Sequence, residues 1–171
     1  MSATEYTPRQ QHPPPAPNQV PHQERPKILF QGNSFTLNMY EDWQDETLYT
    51  ILGPVTDGIQ HNVNVVMNRD VPAPTLVDFA DWNVASVEEE LKGCRVLKRE
   101  QVKLDNGMPA IKAIFRWYPS EAMRIFQEQI YVLVGTTGFT LTASFTKKTR
   151  KTLGPSVERM MLSFTPRQAG K

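Results

Sequence analysis

Cys94 and His61 have side chains that could serve nucleophilic catalysis, and Cys94 is the sole cysteine of the chain. A thiol attacks as thiolate, which needs a lowered pKa or a base beside it. Cys94 follows Gly93 at the start of a strand and reads as a half-buried structural thiol. His61 opens another strand with no partner in its pattern and reads as an incidental surface histidine. The sequence holds no glycine-rich phosphate loop, paired-histidine metal motif or nucleophile elbow. One cysteine excludes an internal disulfide and a multi-cysteine metal site. The expectation is a protein that is not an enzyme and takes no cofactor or metal. Among the charged runs, Glu88-Glu89-Glu90 reads as the solvated side of a helix and Asp42, Asp45 and Glu46 as turn residues. Lys147, Lys148, Arg150 and Lys151 read as a basic loop. A net charge of +1 supplies no field for nucleic acid or an anionic membrane surface.

The other chemistry is hydrogen bonding by neutral groups. Residues 60–68 alternate as a strand, with Val63, Val65 and Met67 on one face and Asn62, Asn64, Val66 and Asn68 on the other. Asn is depleted in strands, and exposed faces more often carry Lys, Glu or Thr. An uncharged face of amides around a Val has the character of a binding surface.

These residues need a sheet to hold them. Phe35, Leu37 and Met39 alternate in a first strand. Leu48 to Leu52 form a second, stopped by Gly53-Pro54, and Gln60 to Asn68 a third. Between Pro72 and Lys92 the period becomes helical through Leu76, Phe79, Ala80, Asn83, Val84, Val87 and Leu91, with Thr75 as N-cap and Gly93 as C-cap. Cys94 to Leu104 and Ala110 to Tyr118 are strands joined by the hairpin signal Asp105-Asn106-Gly107. Met123 to Val134 and Phe139 to Phe145 are two more. After the basic loop, Ser156 to Phe164 forms a closing helix, with Pro155 suited to its first turn. Trp43 and Trp117 pack in or beside the core. The expected fold is α+β, an antiparallel sheet of six to seven strands with two helices.

Parity then gathers a second sheet face: Leu48 and Thr50; Asn64, Val66 and Asn68; Gln127, Gln129 and Tyr131; Thr140, Thr142 and Ser144. On the helix, Asn83, Val87 and Leu91 share a stripe at i, i+4 and i+8. Composition leaves open whether this face is a plain exposed surface or a binding site.

Residues 1–26 hold seven of the 14 prolines, at positions 8, 13, 14, 15, 17, 21 and 26. They read as a disordered or polyproline tail, where His12 and His22 lack ligand spacing. The expected domain is 27–166, with a short tail at 167–171. The N-terminus lacks a basic region followed by an apolar one, and no run is long enough to span a bilayer. A cytoplasmic location is the expectation.

Several short motifs stand in a characteristic order along the chain. They are Asp42-Trp43-Gln44-Asp45 after the first strand, Asn68-Arg69-Asp70 closing the third, and the helix ending before Gly93. The Asp105-Asn106-Gly107 hairpin, the strand Gln129-Ile130-Tyr131 and the closing Met161-Leu162-Ser163-Phe164 follow. From about Phe35 to Pro166 the chain resembles the DcrB-like/Eag family, whose fold is of the PsbP/Mog kind. The resemblance implies a homodimeric, cytoplasmic Eag-type chaperone of type VI secretion. Such a chaperone binds the N-terminal transmembrane segments of PAAR-containing effectors and does not itself insert in the membrane. It also implies that Leu48, Thr50, Asn64, Val66, Asn68, Asn83, Val87, Leu91 and Gln129 contact the client. Asn83 departs from the longer Gln expected there, and the proline-rich tail is not a feature of the compact chaperones. The competing reading is a PsbP/Mog-like module for a soluble protein partner.

Overall fold

The computed structural model describes residues 27–32, 34–43 and 45–167. The tail read over 1–26 lies outside them, as do 168–171. The chain divides into two compact units, one ending at Trp43 and one comprising the rest.

The first unit is an antiparallel hairpin of β1 (Lys27–Gln31) and β2 (Thr36–Tyr40). Its turn is closed by the Gly32 N–H donating to the Phe35 carbonyl at 2.9 Å. Phe30 and Phe35 approach to 5.8 Å across it. Alternation does not announce β1, because Ile28-Leu29-Phe30 is a continuous apolar triplet with no period. Trp43 is 60% exposed, against the expectation that it packs in or beside the core. Its ring meets Tyr40 edge-on at 5.9 Å.

The second unit runs β3 (Leu48–Thr56), β4 (Ile59–Asn68), α1 (Leu76–Glu90), β5 (Arg95–Lys103), β6 (Pro109–Ser120), β7 (Met123–Val134) and β8 (Thr137–Phe145). It closes with α2 (Lys147–Thr152) and α3 (Gly154–Leu162). Six strands form one antiparallel sheet in the order β3-β4-β8-β7-β6-β5. The architecture is α+β, as expected, with a separate two-stranded sheet and three helices rather than two. Chain direction explains the order. The β3–β4 hairpin hands over to α1, which crosses the sheet to deliver β5 at the far edge. The β5–β8 meander then returns until β8 seats on β4.

Three local features differ from the sequence reading. Gly53-Pro54 does not end β3; the register slips between Leu52 and Val55 and the strand continues. Pro has no N–H to give a ladder, and an edge strand with a bulge is where that is tolerated. Gln60 Nε2 donates to the stranded Gly53 carbonyl at 2.6 Å. Lys147 to Thr152 is a helix rather than a loop. Thr146 caps it, its hydroxyl accepting the Thr149 N–H at 3.1 Å while Thr149 Oγ1 accepts the Thr146 N–H at 2.9 Å. That reciprocal box satisfies two otherwise orphaned donors. Helix α1 begins on Thr75 as expected, but its last cap is Leu91. Gly93 lies in the turn beyond, with φ of +63°, a conformation open to glycine at little cost.

Two apolar layers pack the sheet. On one face, Val63, Leu141, Ala143, Phe145, Ile130 and Val132 meet Met161 and Val157 of α3. On the other, Phe79, Ala80 and Val84 of α1 meet Ile111, Ala113, Phe115 and Tyr131. Gly138 lets α1 approach β8: a Cβ there would lie 2.4 Å from Phe79 Cζ.

The α3 side also carries a charge cluster. Lys112 is 8% exposed and pairs with Glu158 and, at 3.0 Å, with Glu100. Burial alone pulls its ammonium down, but the bonds to Glu158 and Glu100 more than offset this and hold it above the usual lysine range. Glu128 is also buried, and its Oε1 has no partner. Burial, then Glu158, pushes its carboxyl above the ordinary range against the pull of Lys112 and Arg150. A carboxyl raised in the folded state holds more protons folded than unfolded between its two pKa values. Stability therefore falls as pH rises through that window. Glu128→Gln cannot ionise, so it should match the parent below the window and exceed it above. The expected gain is about 1 kcal/mol, or about 3 °C in melting temperature at neutral pH. Scanning calorimetry at pH 4 and pH 7.5 checks this; equal melting at both sinks it.

Candidate functional site

The face carrying α1 is laid out in register rows. One row reads Leu48–Val66–Thr140–Tyr131–Ile111, and the next reads Thr50–Asn64–Thr142–Gln129–Ala113. Asn68 opposes Gly138 one row along, and Leu52 opposes Asn62 on the other side. The sheet thus places Leu48, Thr50, Asn64, Val66, Asn68 and Gln129 together, as parity requires. No charged side chain enters these rows between β3 and β7. The first one met is Arg99 on β5, which pairs with Asp81 of α1.

Burial divides the face in two. Helix α1 lies over β6 and β7, with Phe79 edge-on to Tyr131 at 6.2 Å. Tyr131, Gln127 and Gln129 were expected at the surface with Thr140; all four are buried. The Tyr131 hydroxyl donates to Gln129 Oε1, so the amide is held inside the fold. Burial pushes the Tyr131 phenol well above its ordinary range, which keeps it a donor. What remains open is the strip of β3, β4 and β8: Leu48, Thr50 and Leu52 exposed, Asn62, Asn64, Val66, Asn68, Thr142 and Ser144 half-buried. Thr50 Oγ1 donates to Asn64 Oδ1 at 2.9 Å, adding a side-chain tie to the backbone ladder between the edge strand and its neighbour.

The helix residues flank this strip unequally. Asn83 is half-buried; its Nδ2 donates to the Phe79 carbonyl at 2.8 Å, and its Oδ1 lies 3.5 Å from Thr140 Oγ1. It joins helix to sheet. Val87 packs against the α1 core, and Leu91 is half-buried at the helix end. Leu52 belongs to the open strip and was missed, though its parity with Leu48 and Thr50 announces it.

The catalytic candidates resolve differently. Burial raises the Cys94 thiol, and the charge of Glu88 raises it further, which disfavours the thiolate. His61 is not a surface residue but 5% exposed. It points to the α3 side, because it shares parity with Val63. Asp45 accepts from Thr47 at 2.6 Å and pairs with Arg69 at 3.4 Å, so it ties the start of β3 to the end of β4.

With this geometry the chain can be set beside known proteins. The DcrB family profile matches residues 34–163. The chain belongs to the DcrB family. Among solved structures, this DcrB-family chain is similar to a Pseudomonas aeruginosa protein of unknown function, PA94, whose description suggests a regulator. The TM-score is 0.67 at 16% identity, covering 84% of this chain and 99% of that one. A looser likeness is to cyanobacterial PsbP (CyanoP) from Synechocystis sp. PCC 6803, with a TM-score of 0.46 at 14% identity, covering 63% and 68%. No curated protein matches the chain. Among the described residues, no helix is long and apolar enough to cross a membrane.

Proposed function

We propose that this DcrB-family protein is a cytoplasmic Eag-type chaperone with no enzymatic activity. It holds the N-terminal transmembrane helices of a PAAR-containing type VI effector in solution until they are loaded on the spike. The observation that carries the proposal is the open strip: exposed apolar side chains at its edge, neutral amides and hydroxyls across it, and no charge in its rows. A membrane helix in water presents apolar area whose burial is worth roughly 25 cal/mol per Å². Leu48, Leu52 and Val66 supply apolar cover, with Val87 and Leu91 flanking. Thr50, Asn64 and Asn68 imitate the polar contacts between helices in a bilayer, each worth about 0.6 kcal/mol. A charged face would instead leave ions buried against the client without partners. Gln129 and Asn83 act beneath the surface, fixing the floor and the flank of the strip. A homodimer would offer two strips to a hairpin of helices.

Co-expression with an effector fragment containing its transmembrane segments tests this. The expected outcome is a soluble complex containing both chains. A fragment that stays in the pellet overturns it, and recovery of only a soluble, non-membrane partner favours a general protein-binding module.

A further inference from the structure

At one end of the six-stranded sheet, the β3–β4 turn, the β6–β7 turn and helix α2 meet around a shallow groove of about 590 Å³. Arg124 and three lysines of α2, Lys147, Lys148 and Lys151, line it. All four are exposed, and none forms an ion pair with a described residue. Asp57 is the single carboxylate of the lining, and it accepts instead from the Thr146 hydroxyl at 2.6 Å. Arg150, the other cation of α2, lies over the Phe126 ring at 4.8 Å and stays out of the groove. The chain carries a net charge of only +1, so this excess is gathered here and is not one share of a basic surface. The placement works against the helix. Lys147 and Lys151 stand at i, i+4, and Lys148 and Lys151 at i, i+3. Like charges at these spacings destabilise a helix. Arg124 adds a fourth cation from the start of β7, and Asp57 alone does not balance four. A local rule broken without internal compensation points to a compensation from outside.

We propose that this groove docks an acidic segment of a partner protein, its carboxylates set against Arg124 and the three lysines. Ala122 and Met123 add an apolar stretch to the lining. Met123 is unbranched and 42% exposed, so it adapts to an aliphatic side chain carried among the acids. A concave wall does not fit the plane of a bilayer. No aromatic side chain lines the groove to stack a nucleic-acid base. Exposed ion pairs are individually weak, and as a set they govern the rate and specificity of encounter. None of the lining residues belongs to the open strip, so this site is independent of the client proposed above.

The test uses the full-length protein and a dye-labelled peptide of repeating Glu-Leu-Glu, followed by fluorescence anisotropy. The peptide should bind saturably, about tenfold more tightly than its Gln-Leu-Gln counterpart, and should weaken as added salt screens the charges. Lys147→Glu combined with Lys148→Glu should lose at least that tenfold. The same change places carboxylates at i−4 and i−3 from Lys151, so the variant should melt no lower than the parent. Lys92→Glu combined with Lys103→Glu alters the net charge equally at exposed positions outside the groove and should keep the affinity. Equal affinity for the two peptides, or equal loss in the two double variants, overturns the proposal. So does displacement of the peptide by an oligonucleotide, or by phosphatidylserine vesicles, at a lower concentration than by unlabelled peptide. If the α2 variant fails to fold, Arg124→Glu, outside that helix, carries the same expectation of lost binding.

Discussion

Leu48→Asp should abolish binding of the proposed client helices while leaving the domain folded. Leu48 is 59% exposed on an edge strand, and substitutions at such sites usually move stability by no more than about 0.5 kcal/mol. In the proposed complex the same position lies under an apolar helix. A carboxylate there must either be desolvated without a partner or hold the helix away from Val66, its register neighbour. An effect of about 3 kcal/mol, on the order of a hundredfold in affinity, is expected. The measurement is the fraction of the effector fragment recovered in the soluble complex, alongside the melting temperature of the variant alone. Leu48→Asn, polar but neutral, should fall between parent and Asp. Full retention of the fragment by Leu48→Asp would move the client to another surface.

Gly138→Ala should be the most damaging one-methyl change in the fold. The added carbon would sit 2.4 Å from Phe79 Cζ. The ring is 3% exposed and braced edge-on against Tyr131, so it has little room to turn aside. Overpacking of this kind costs typically 1–3 kcal/mol, and about 3 is expected here because α1 itself must lift. Urea unfolding measures it. Phe79→Leu in the same chain should recover part of the loss, although on its own it also destabilises. Such non-additivity is the signature of a direct contact. A Gly138→Ala variant as stable as the parent would mean that α1 is seated less tightly on β8.

Where period alone decides, the sequence was readable. Strand β8 alternates cleanly and β4 over most of its length, and a period of two leaves one assignment of side chains to faces. That is why Thr50, Asn64 and Gln129 were grouped correctly without knowledge of the pairing. What parity does not contain is which part of a face a helix covers. That depends on the crossing from β4 to β5, a connection of long range, and it turned Gln129 and Tyr131 from surface into floor. The same blindness hid His61, since α3 packs beside it from the other end of the chain. Gly53-Pro54 misled for a related reason. It breaks a central strand, and nothing local says that β3 is an edge.

The chain order of the sheet carries a consequence for the time at which the open strip exists. Strands β5 to β8 pair with their neighbours in sequence and can zip as a meander. The pairing of β4 with β8 joins residues as distant in sequence as Val63 and Ala143, and closing so long a loop costs entropy before any contact repays it. Thr140 and Val66, partners in the register, are therefore expected to meet late in assembly. A nascent chain released before β8 presents the Leu48 edge without its floor. The open strip is then a property of the finished molecule, coming into being only when the meander docks on the first hairpin of the sheet.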